Sequence, residues 1–206
     1  MPVKLGMALD ESLLAHLTQP VLRLYFVKPD AVSIGYSFPL KQVAQELVEW
    51  HDFARRPTGG GIVFHGDGLV FSLALPHETA VLTGDACVIH SAVVAGLRLA
   101  GLDVTLAVER GERCSLCSKS IVPWDVLLRS KKICGSARRR QATGFLIQGY
   151  VDPVLPQKEL AAALLEGFAR VLNTPLQPST YTSEEWDSGQ QLLRERYDTD
   201  EWIARR

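Results

Sequence analysis

Apolar residues recur at helical spacing over residues 7–17, then give way to two short apolar and β-branched runs at 21–26 and 32–34. The first pattern predicts a short helix and the other two predict strands, parted by the turn signal Lys28-Pro29-Asp30. A second helix is expected over residues 40–51. The runs at 62–65 and 69–75 flank Gly66-Asp67-Gly68 and read as a hairpin. Residues 85–99 are long and apolar enough for a buried helix. Further strand candidates lie at 104–108, 126–128, 133–138 and 145–150, and an amphipathic helix is expected over 158–172, with Pro156 just ahead of it. After Asn173 the pattern changes: residues 174–179 read as a linker. Ser183-Glu184-Glu185 then opens a last polar helix carrying Trp186, Leu192, Leu193 and Trp202. Helices and strands mix without strict alternation, so the class is α/β in the loose sense, or α+β. The 206 residues suit one catalytic-size domain over residues 1–173. Residues 174–206 would supply a linker and C-terminal helix, too little for a full accessory domain.

A hydrophobic fraction of 47% supports a real core, and a net charge of −1 supplies no global field for nucleic acid or an anionic membrane. No apolar run is long enough to span a bilayer, and the opening Met-Pro-Val-Lys-Leu-Gly lacks a signal-peptide core. The expectation is a cytoplasmic protein with no nucleic-acid and no membrane partner. The four cysteines Cys87, Cys114, Cys117 and Cys134 do not read as a disulfide scaffold. Cys114 and Cys117 have the spacing of a zinc or redox pair. No second such pair and no close histidine pair completes four ligands, so no metal site is expected.

The chemistry begins at Arg55-Arg56-Pro57-Thr58-Gly59-Gly60-Gly61-Ile62-Val63-Phe64-His65. Consecutive glycines let a ligand approach the main chain, their N–H groups can form an anion nest, and arginines can pair with phosphate or carboxylate oxygens. This run resembles the signature of the lipoate-protein ligase and octanoyltransferase family, roughly R-R-x-S/T-G-G-G-x-V-x-H. A second block, Lys132-Ile133-Cys134-Gly135-Ser136-Ala137, is similar to that family's K-[IV]-x-G-[SA]-A element. Met7 to Glu11, Leu24-Tyr25-Phe26 and Val32 to Gly35 are similar to its opening. The resemblance covers about residues 5 to 152 and implies a mixed, largely antiparallel sheet flanked by helices, shared with biotin ligases.

By that resemblance Lys132 is the central lysine, touching the acyl carbonyl of the bound intermediate, where an ammonium stabilises growing oxyanion charge. Gly135, Ser136 and Ala137 would let the backbone approach the acyl head. Cys117, fifteen residues before Lys132, resembles the acyl-thioester cysteine of one octanoyltransferase branch. Cys114 stays open as the alternative, and Cys134 reads as packing. Arg56, Thr58, Gly59, Gly60 and Gly61 would contact the acyl carrier, or a nucleotide if one binds. Val63, Phe64 and Phe71 would line an apolar tunnel for an eight-carbon chain. His65 is a candidate for proton transfer or for a hydrogen-bond anchor. Asp125 lies near the place where adenylate-forming members carry a metal-associated carboxylate, although Trp124 breaks the usual Asn-Asp pair. Gln148-Gly149 stands where many members have His-Gly.

Two reactions follow from the resemblance. In the favoured one, octanoyl passes from acyl carrier protein to Cys117, then to a lysine of a lipoyl domain, as in 2-oxoacid dehydrogenase or glycine cleavage proteins. In the other, an ATP-dependent lipoate ligase works through an acyl adenylate with Mg-ATP, aided by an accessory subunit. The third glycine, Gly61, is typical of ligases. A biotin ligase is disfavoured because no Gly-Arg-Gly-Arg run is present, and a non-catalytic binder of lipoyl domains is the reading outside enzymology. The basic run Arg138 to Arg140 is the expected docking surface for an acidic lipoyl domain.

Overall fold

The computed structural model describes residues 1–49, 51–79, 85–112, 114–117 and 119–205. Trp50, inside the expected 40–51 helix, and Ser118, next to Cys117, lie outside these. In chain order come α1 (Val3–Ala15), β1 (Val21–Tyr25), β2 (Val32–Ile34), α2 (Gln45–Glu49), β3 (Phe53–Arg55) and β4 (Ile62–Phe64). Then follow β5 (Leu69–Pro76), α3 (Ala86–Leu99), β6 (Val104–Leu106), β7 (Val126–Leu128), β8 (Lys131–Arg140) and β9 (Gly144–Val151). The chain closes with α4 (Gln157–Leu172), α5 (Ser183–Leu192), a π-helical turn (Leu193–Tyr197) and α6 (Asp200–Ala204).

Six strands form one antiparallel sheet in the order β1-β5-β9-β8-β7-β6. A small sheet, β3-β2-β4, pairs β2 with β3 in parallel and with β4 in antiparallel. The mixed, largely antiparallel arrangement with flanking helices is the one expected.

Strand β5 explains how the layers stack. Its side chains alternate between faces, and both faces are covered. Leu69, Phe71, Leu73 and Leu75 pack with Ile89, Val93 and Leu97 of α3 and with Leu160, Leu164 and Phe168 of α4. Val70 faces the other way, into the cluster of Val3, Met7 and Ala8 of α1. A strand buried on both sides reads as a continuous apolar run, as this one does. Asp85 caps α3 by accepting from the Cys87 N–H at 3.2 Å, and Asn173 ends α4 in the left-handed conformation.

Two expectations fail. The helix over 40–51 is broken: a 3₁₀ turn (Leu40–Gln42) stops at an extended Val43, and only the short α2 follows before the chain extends into β3. Leu40, Val43, Leu47 and Val48 all pack on the small sheet, and the chain must open out to pair β3 with β2. Residues 62–65 and 69–75 do not form a hairpin. β4 pairs with β2, while both edges of β5 are taken by β1 and β9, so Gly66-Asp67-Gly68 carries the chain from one sheet to the other.

The C-terminal residues pack back on the body. α5 opens with a capping box between Thr182 and Glu185. Buried Glu11 of α1 accepts from Arg196 Nη1 at 2.8 Å and from the Tyr197 hydroxyl at 2.6 Å. Trp202 is also buried and donates from Nε1 to the Arg55 carbonyl at 3.0 Å. Among the described residues no helix is long and apolar enough to cross a membrane.

Candidate functional site

A cleft of about 740 Å³, its open mouth included, lies between the small sheet and strands β8 and β9. Arg56, Gly59, Gly60, Val63, Phe64 and His65 line one wall, residues 132–137 and 148–150 the other, with Cys117 between them and Met7 and Val70 contributed from α1 and β5. The two motifs, far apart in sequence, thus face each other.

Both arginines hydrogen-bond within the protein, Arg55 away from the cleft and Arg56 in its wall. Arg55 is fully buried and donates only to carbonyls: Gly35 at 2.9 Å and Phe38 at 2.7 Å from Nη1, and Ile203 at 2.6 Å from Nη2. It ties the glycine loop to α6. Arg56 donates from Nη1 to the Ser33 carbonyl and hydroxyl, both at 3.0 Å, and from Nη2 to the Gly59 carbonyl at 2.9 Å and the Gly61 carbonyl at 3.0 Å. Its fork braces the loop from behind. Thr58 is likewise internal: it donates to Gln148 Oε1 at 2.7 Å and pins the loop to β9, without lining the cleft. Gln148 in turn donates to buried Asp10 at 2.6 Å.

Cys117 is placed by main-chain pairing. The Ile62 N–H donates to the Ser115 carbonyl and the Cys117 N–H to the Ile62 carbonyl, each at 2.9 Å, so the cysteine segment adds to β4 like a short strand. Gly61 must lack a side chain, because a Cβ there would collide with the Ser115 carbonyl oxygen. Its N–H donates to Cys117 Sγ at 3.0 Å. Arg56 Nη2 and the sulfur both sit over Gly60, 2.9 and 3.3 Å from where a Cβ would be. An N–H donor and a guanidinium thus stand beside the Cys117 sulfur. Cys114 is exposed and stands outside the cleft. Cys134 lines the cleft, but burial, with Asp125 adding, pushes its thiol far above the usual range.

Lys132 reaches the cleft as half of an ion pair. Its Nζ lies 2.7 Å from Asp125 Oδ2 and donates to the Ser120 carbonyl at 2.9 Å. Asp125 is 1% exposed and also accepts from the Val122 N–H at 2.8 Å. A Cβ at Gly135 would come within 2.8 Å of Lys132 Nζ, so the glycine leaves the lysine room to lie across β8. Asp125 is therefore the partner of Lys132, a relation the sequence hid because six residues and a bulged strand pair separate them. Among the described residues no three His, Cys, Asp or Glu side chains gather as a metal site. Trp124 adopts a positive φ of 77° and its carbonyl accepts from His90 Nδ1 at 2.7 Å, which fixes the backbone that presents Asp125.

His65 is 2% exposed, and its Nε2 is 2.8 Å from the Ser33 hydroxyl. Burial, with Arg56 adding, holds its pKa down to about 3, so the ring is neutral at physiological pH. Phe64 lines the cleft and is 45% exposed. Phe71 is not part of the wall: it is fully buried against Phe168. Met7, Val70, Ile133 and Tyr150 line the cleft and were not picked from sequence. The basic run is split by strand alternation. Arg138 and Arg140 lie over Phe145, whereas Arg139 lies over Tyr36 and donates to the Pro57 carbonyl beside the glycine loop.

Comparison with known proteins gives a consistent set. Residues 2–174 match the family model described as lipoyl protein ligase A/B catalytic domain. Octanoyltransferase LipM of Halalkalibacterium halodurans is 29% identical, with 98% of this chain and 94% of that protein covered. Octanoyltransferase LipM of Kyrpidia tusciae is 30% identical at the same coverage. A solved lipoate-protein ligase A bound with ATP superposes with a TM-score of 0.83 at 23% identity, covering 98% of this chain and 94% of that one. At that identity the structural match speaks for the fold.

Proposed function

The chain belongs to the lipoyl protein ligase A/B catalytic-domain family, and on that premise we propose that it moves octanoyl from an acyl carrier protein to a lysine of a lipoyl domain through a thioester on Cys117. The observation that carries this reading is Cys117 Sγ in the cleft, 3.0 Å from the Gly61 N–H and beside Arg56. In the first half-reaction the Cys117 sulfur attacks the carrier thioester. A new C–S bond forms, the old one breaks, and the carrier thiol leaves with the proton of Cys117. In the second, the acceptor lysine amine attacks the acyl-cysteine. A C–N bond forms, the bond from the acyl carbon to the Cys117 sulfur breaks, and an amine proton returns to that sulfur. Lys132, in the cleft wall, would stabilise the oxyanion in both steps.

The ATP-dependent ligase is the second reading, favoured by Gly61 in the third glycine position. Mg-ATP would then replace the carrier thioester, and Cys117 would be structural. Arg56 weighs against it, because its two Nη nitrogens already make four hydrogen bonds within the protein. The deciding experiment is intact mass spectrometry of an apo lipoyl domain incubated with enzyme. One arm holds octanoyl-acyl carrier protein without ATP, the other free octanoate or lipoate with Mg-ATP. Modification in the first arm, with an octanoyl adduct on the enzyme, is expected. Modification confined to the second would make the protein a ligase.

The loop geometry gives a further expectation. Gly61→Val would push Ser115, and with it Cys117, off β4. A displacement of about 1 Å at a reacting group costs on the order of 100-fold in rate. Acyl-enzyme formation by the variant should fall by about that factor. A variant acylated at the wild-type rate would mean the sulfur's position is not set by this contact.

A further inference from the structure

The hydroxyl of Ser33 lies between two groups of the site, and its hydrogen-bond direction decides what His65 can do. Arg56 Nη1 carries only hydrogens, so it donates to Ser33 Oγ at 3.0 Å. The oxygen has a second lone pair that Nε2–H could fill, but among the described residues the hydroxyl hydrogen then has no acceptor; its one available acceptor is His65 Nε2, 2.8 Å away on the other side, and it points there. Nε2 is thereby the acceptor nitrogen, and a neutral imidazole must carry its hydrogen on Nδ1. That Nδ1 has no protein partner although it is buried, and the ring belongs to the cleft wall. A buried donor without an acceptor is costly and calls for an acceptor from outside the chain.

We propose that Ser33 is a positioning residue that locks His65 in the Nδ1–H form, making Nδ1–H a hydrogen-bond donor to the carbonyl oxygen of the acyl thioester held in the cleft. The proposal rests on the transferase reading above and adds to it a second donor opposite Lys132. His65 neither gains nor loses a proton in the step. It donates a hydrogen bond to the oxygen as negative charge grows there, and the relay from Arg56 through Ser33 supplies the polarisation. Its low pKa fits this role, since an imidazole charged near neutral pH would keep no lone pair for Ser33. The same guanidinium that orders this relay also holds the Gly61 carbonyl, so donor and nucleophile are positioned by one side chain.

The test uses histidine-selective ¹⁵N NMR on the whole protein, with five histidines to resolve and the His65 signal assigned by its loss in His65→Asn. Wild type should show Nδ1 protonated and Nε2 bare. Ser33→Ala removes the hydroxyl yet keeps the Ser33 carbonyl that also accepts from Arg56, so the loop stays braced. In that variant the Nε2–H form should appear, and the rate of acyl-enzyme formation should fall about tenfold or more with KM little changed. His65→Asn places an amide N–H where Nδ1 was and should keep more activity than His65→Gln, which places it at Nε2. A wild-type ring protonated on Nε2, or a Ser33→Ala enzyme with unchanged tautomer and rate, would overturn the proposal. A wild-type enzyme that takes no acyl group from the carrier thioester would instead remove the transferase reading and the donor role with it.

Discussion

Cys117→Ser should abolish the octanoyl adduct and lower carrier-dependent transfer by on the order of 10³-fold or more. The substitution is small enough to keep the segment paired to β4, because that pairing runs through the main chain of Ile62, Ser115 and Cys117. What it removes is the sulfur nucleophile. A serine hydroxyl needs a base to become a nucleophile, and none stands ready: His65 is neutral with Nε2 engaged by Ser33, and Lys132 is held by Asp125. Cys114→Ser is the control. Its side chain is exposed and outside the cleft, so its rate should stay within about twofold of wild type. The measurement is single-turnover acylation followed by intact mass. Persistence of the adduct in Cys117→Ser would move the nucleophile elsewhere.

What could be read from the chain and what could not divides along the range of the interactions. The glycine run, the Lys132 block and the apolar helices 85–99 and 158–172 are local patterns, and each lies where the sequence puts it. The supposed hairpin failed because alternation and a Gly-Asp-Gly turn say that two strands follow each other, not that they pair. The partners β2 and β9 are remote from β4 and β5 respectively. Arg55 misled for the same reason. Two guanidiniums beside three glycines resemble an anion site, yet Arg55 spends its donors on carbonyls of residues 35–38 and 202–203, and no local pattern encodes that. One signal was present and passed over. Asp10 and Glu11 sit side by side in the apolar run Met7 to Leu14, where solvent exposure of either would force apolar neighbours into water. Both are buried, Asp10 under Arg23, Tyr25, Ser72 and Gln148, and Glu11 under Arg196 and Tyr197. A lone hydroxyl in the apolar strand Val32-Ser33-Ile34 was a similar clue.

On the proposed reading Lys132 carries two roles that a single substitution would confuse, and a pair of variants separates them. Lys132→Met removes the cation from the cleft wall and, on the proposed reading, should cost about 10²- to 10³-fold in acyl transfer, the usual loss of one oxyanion donor. It also strands Asp125, a carboxylate with a 2% exposed side chain that loses its 2.7 Å partner. Leaving one member of a buried pair uncompensated costs about 3–5 kcal/mol, so the variant should also melt at a clearly lower temperature. Adding Asp125→Asn removes the stranded charge and lets the amide keep a short contact to the Val122 N–H through its carbonyl oxygen. The double variant should therefore regain most of the lost melting temperature while staying as inactive as Lys132→Met. Recovery of both would mean that the lysine serves the fold alone. Recovery of stability without activity is the outcome expected of a cation whose work is done on the substrate's oxygen.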